Sequence, residues 1–198
     1  MPILQHTANW LSQKEQRGGK DGREPKATGE TKDTLAACDT ARVDTCFACD
    51  LTHGRQPLPG GLIHRSGGWV VEHCVGPLGV GTLIVKPARH VTAVAELTEE
   101  EAEQLGPLLR TASYVASQLV EADQVYNCLW SHSGAVPVHI HYVIQPVTKQ
   151  QMAEYGVYGP DLQAAMFAAD TPPDVREVEV AAETARSLFA AMESPDRR

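Results

Sequence analysis

Val136 to Pro146 reads VPVHIHYVIQP, and the rest of the chain is best read outward from it. β-Branched and aromatic residues fill the run and a proline closes it, which predicts a strand. Side chains two apart on a strand point to one face, so His139 and His141 look into the same space. Two titratable imidazoles side by side in so apolar a strand call for a chemical reason.

On either side the pattern mixes strands and helices. GGLIHRSGGWVVEHCV predicts two short strands around the Ser66-Gly67-Gly68 turn, and GTLIVKP, bounded by Gly81 and Pro87, a central strand. Thr98 and Glu101 form a capping box that opens a long helix carrying Leu105, Leu108, Leu109, Ala112, Val115, Ala116 and Leu119 at helical spacing. Gly106-Pro107 should bend that helix or delay its regular start. QVYNCLW and VPVHIHYVI predict two further strands separated by a Ser131–Gly134 turn. Two helical pieces follow, one over about 160–168 and one running from after Thr171-Pro172-Pro173 to about Met192. The expected class is α+β: an antiparallel sheet with one long helix, plus C-terminal helices.

The 198 residues divide by composition. Residues 1–43 contain the stretch QKEQRGGKDGREPKATGETKDT, too poor in large apolar groups to offset its ordering entropy, and are expected to be a disordered tail. The folded domain is expected over 44–148 and a helical extension over 149–198. A formal charge of −8 argues against nucleic acid as partner, while leaving room for a small anion at a locally positive site. No run approaches the roughly 20 apolar residues that span a bilayer, and the first residues lack the pattern of an export signal. The expectation is a cytoplasmic protein without membrane contact.

Five cysteines, an odd number, favour thiols or metal ligands over a disulfide framework. Cys46 and Cys49 in DTCFACD can reach one ion from a turn; a redox pair or chance spacing are the alternatives. Among the eight histidines, His90 and His139 sit on or beside ordered elements. His6 lies in the tail, and His53, His64, His73 and His132 fall at turns, where a solvated side chain is expected.

CFAC, GTLIVKPARH, the asparagine of YNCLW and GAVPVHIHYVIQP occur in that order, and the set resembles the histidine-triad superfamily over roughly Cys46 to Thr148. The resemblance implies a structural zinc held by Cys46, Cys49, His90 and His139. It also implies that His141, the second histidine of the motif, is the nucleophile. That imidazole would attack the α-phosphorus of a small nucleotide ester, anhydride or phosphoramidate, form a nucleotidyl-histidine and release it to water. Asn127, Ser133, Gly134 and Gln145 are the expected phosphate contacts, and a homodimer is implied. Val143 stands where the family has its third histidine, and Gln145 lies one step further along the same face. The acidic residue expected to grip the ribose falls near Cys74. A nucleotidyltransferase or phosphorylase, and a catalytically silent zinc-stabilised scaffold that binds nucleotide or protein, are the alternative readings.

Overall fold

β-Branched and aromatic runs pair as expected: β1 (Leu62–Ser66), β2 (Trp69–His73), β3 (Leu83–Pro87), β4 (Gln124–Ser133) and β5 (Val136–Val147) form one sheet. Its order is β1-β2-β3-β5-β4 and its pairings are antiparallel. The computed structural model describes residues 46–133 and 136–193, with Ser133 and Val136 described by backbone alone. The tail expected over 1–43 and Gly134 lie outside the described residues. Around the sheet lie α1 (Phe47–Thr52), α2 (Glu99–Leu119), α3 (Lys149–Tyr155), α4 (Pro160–Ala169) and α5 (Val175–Glu193). Among the described residues no helix is long and apolar enough to cross a membrane.

Alternation along the strands gives the sheet two apolar faces. On one, Trp69, Val71, Leu83, Val85 and Ile144 pack against Leu108, Ala112, Val115 and Ala116 of α2 and Ala182, Ala185 and Phe189 of α5. On the other, Cys74, Ile84, Val143 and Val147 meet Leu162 and Met166 of α4, with Tyr126 and Trp130 alongside. Among the described residues, α4 and α5, which follow Thr148, therefore share the core of the sheet.

Thr98 caps α2 through the Glu101 N–H, and the Glu101 carboxylate returns to the Thr98 N–H, as the capping box predicts. Pro107 lies inside α2, which runs unbroken from Glu99 to Leu119. The expected delay at Gly106-Pro107 does not occur. Pro107 and Glu103, whose carbonyl loses its usual partner, are both on the exposed side, where water can replace the missing bond. Two other expectations change. β4 continues through the residues assigned to a turn, as far as Ser133, and the segment after Thr148 contains a third helix, α3, capped by Thr148 and Gln151.

Candidate functional site

The CFAC segment opens α1, with Cys46 at the N-cap and Cys49 three residues on, so both sulfurs emerge from one turn. His90 follows β3, and His139 lies near the start of β5. Their approach is fixed by backbone: the Ile140 N–H donates to the Val91 carbonyl at 2.8 Å, one residue beyond each histidine. Arg89 anchors the same loop by two bonds to the Glu101 carboxylate, at 2.9 and 2.7 Å.

Ligand atoms of Cys46, Cys49, His90 and His139 all lie within 4.8 Å of one another. Nδ1 of His139 is 3.4 Å from Cys49 Sγ and 3.9 Å from Cys46 Sγ, and Nδ1 of His90 is 3.4 Å from Cys49 Sγ. A tetrahedral zinc with ordinary Zn–S and Zn–N bonds has S···N edges of about 3.6 Å. The tautomer of His139 also fits a ligand, because its Nε2–H donates to the Pro87 carbonyl at 3.0 Å and leaves the Nδ1 lone pair facing the sulfurs. Burial, then the charge of Lys86, push the His139 pKa down to about 3, which keeps the ring neutral. Burial first, and the neighbouring Cys46 next, push the Cys49 thiol up to about 12. A cation bound among these ligands would draw out the thiolate.

Lys86, which the sequence reading passed over, holds this knuckle to the sheet together with Glu72. Lys86, fully buried on β3, donates to the Ala48 carbonyl between the two cysteines at 2.7 Å and to Glu72 Oε1 at 2.6 Å. Burial raises the Glu72 pKa, against the lowering effect of Lys86, and its Oε2 has no hydrogen-bond partner. The available signal was a lysine and a glutamate, each embedded in an otherwise apolar strand.

His141 is partly buried beside the knuckle. Its Nδ1–H donates to the His139 carbonyl at 3.1 Å, which leaves Nε2 as the unprotonated nitrogen. Burial lowers its pKa, so the neutral form prevails near neutral pH. Trp130, its partner across β4, stands with ring centroids 6.3 Å away.

The expected phosphate contacts are dispersed. Asn127 pairs with Ile144 and accepts from the Ser113 hydroxyl at 3.1 Å, so it faces α2, on the side of the sheet away from His141. Gln145 does share the face of His141 but is wholly buried, its amide donating to the Leu78 carbonyl and Met166 Sδ. Gly134 and the Ser133 side chain lie outside the described residues. Val143 is buried under α4, and Cys74 lies in the same apolar cluster. His73, expected at a solvated turn, is buried. Its Nδ1–H donates to the Cys74 carbonyl and its Nε2 accepts from the Gly81 N–H.

No protein-family model matches the chain. Solved structures do. A hypothetical histidine triad nucleotide-binding protein from Sulfolobus tokodaii strain7 superposes with a TM-score of 0.57 at 15% identity, over 75% of this chain and 94% of that one. A Zn-bound histidine triad family protein from Mycobacterium smegmatis gives 0.55 at 16% identity, over 76% and 97%. A Hit-like protein involved in cell-cycle regulation from Bartonella henselae gives 0.56 at 13%, over 73% and 96%. The chain has the histidine-triad fold. Within that fold, its particular site is a two-cysteine, two-histidine cluster with a further imidazole two residues along the same strand.

Proposed function

We propose that this protein is a nucleotide hydrolase that works through a covalent intermediate on His141. The observation that carries the reading is the hydrogen bond from His141 Nδ1–H to the His139 carbonyl, which presents a neutral Nε2 beside a rigid knuckle. In the first step Nε2 attacks the α-phosphorus of a small nucleotide ester, anhydride or phosphoramidate. The phosphorus–nitrogen bond forms as the bond to the leaving group breaks, and the leaving group departs with the electron pair and takes a proton from water. In the second step water attacks the same phosphorus, the phosphorus–histidine bond breaks, and His141 returns neutral with release of a nucleoside monophosphate and a proton.

Cys46, Cys49, His90 and His139 would hold a structural zinc. When bound, that ion would supply no redox or acid chemistry and would fasten α1 to the start of β5. His139 is then both a ligand and, through its carbonyl, the acceptor that fixes the tautomer of His141. The reading also carries a cytoplasmic homodimer, for which the open edge of β4 with exposed Leu129, and Tyr114 on α2, offer an apolar surface.

His141→Ala tests the proposal. It should abolish turnover of nucleoside 5′-phosphate esters while metal content and melting temperature stay at wild-type values; an unchanged rate would reject it.

A further inference from the structure

The face of β5 that carries His141 is occupied on both sides. His139 lies under the knuckle, while Val143 and Gln145 lie under α4. A substrate with a base and a sugar needs a cleft of roughly 300 Å³ or more beside the phosphorus, and the knuckle and α4 bound the room for it on this face. The knuckle is tied down by its Cys/His cluster and by Lys86. The attachment of α4 is of a different kind.

Leu162, Gln163 and Met166 bury one side of α4 against the sheet, and Phe167 packs against Trp130 with centroids 5.4 Å apart and the rings tilted by 50°. The seating is incompletely satisfied. Gln163 is 3% exposed; its Oε1 accepts from Trp130 Nε1–H at 3.4 Å, and its Nε2 has no oxygen or nitrogen partner, only the Cys128 thiol nearby. Gln145 beneath has an unpartnered Oε1. Two of the three such side-chain atoms among the described residues therefore lie at this one contact, and lifting α4 would hydrate both. The helix is bracketed by backbone turns. Gly156 and Gly159 precede it at φ 67° and 59°, and Asp170, left-handed at φ 48°, follows it.

We propose that α4 is an autoinhibitory lid, closed here over the His141 face, and that a nucleotide reaches His141 only when the lid lifts. This rests on the reading that the face takes a nucleotide. Leu162 and Met166 form the latch; the two orphaned amide atoms make the closed state shallow. With the lid down, apparent affinity is reduced by the closed fraction.

The test uses the full-length protein, with AMP and UMP as probes in parallel calorimetric titrations. Hydrogen exchange of the 160–169 amides is followed by mass spectrometry. Leu162→Ala, with Met166→Ala as the second variant, should tighten nucleotide affinity by roughly fivefold or more. Nucleotide should speed exchange across α4 in the wild type. Unchanged or weaker affinity in both variants would overturn the lid, as would nucleotide that slows or leaves unaltered the exchange of α4. Absence of binding by every form would overturn it too. Tighter AMP or UMP binding in the variants, with no adduct on His141 when a nucleoside 5′-phosphate ester replaces the probe, would uphold the lid and remove the hydrolase reading instead.

Discussion

At the scale of single residues, the site depends on which nitrogens are free. His139 and His141 each donate one ring N–H to a carbonyl, of Pro87 and of His139, so the partner nitrogen is fixed without any charge. A chelator should lower the melting temperature of the wild-type protein and leave that of Cys49→Ala unchanged, with metal content by mass spectrometry near one per chain and near zero. The Lys86–Glu72 pair makes a second prediction. Lys86→Met leaves a buried carboxylate uncompensated and should cost about 3–5 kcal/mol in urea unfolding, while Lys86→Met with Glu72→Leu should recover most of it. His73 makes a third. Burial lowers its folded pKa, so below about pH 6.5 the unfolded chain binds a proton that the folded one refuses. Its contribution is complete above that pH and is lost as pH falls toward the folded value. His73→Gln keeps an acceptor for the Gly81 N–H without titrating, and should flatten the dependence of unfolding free energy on pH between 5 and 7.

At the scale of elements, what could be read depended on whether a pattern is local. β5 was legible because alternation and β-branching belong to the strand itself, and α2 because its cap and its apolar stripe are both local. The metal-type cluster was legible as residue types in order; its closure came from Ile140 pairing with Val91, a contact between segments. α3 went unread although Thr148 and Gln151 form a capping box, because KQQMAEY has no apolar stripe to support it. Asn127 carried the right residue type, but the register of β4 on β5 turns it toward α2. The partners of α5 were equally hidden. Its Ala182, Ala185 and Phe189 spacing gives an apolar face without saying that Trp69 and Leu108 lie beneath it. Phe189→Ala should therefore destabilise the whole domain by about 3–5 kcal/mol, and a chain ending at Thr148 should fail to give a cooperative unfolding transition.

At the scale of the whole molecule, the two faces of the sheet divide the labour. One is a core closed by α2 and α5. The other carries, in sequence along β5, the cluster histidine, the half-buried His141 and the residues under α4. The central claim is that His141 Nε2 becomes covalently bonded to phosphorus. Rapid quenching during turnover of a nucleoside 5′-phosphate ester, followed by mass spectrometry of the digest, tests it most directly. The account predicts the added mass of one nucleotidyl group on the peptide containing His141, absent in His141→Ala. Steady turnover with no adduct, or an adduct carried by another residue, would contradict it.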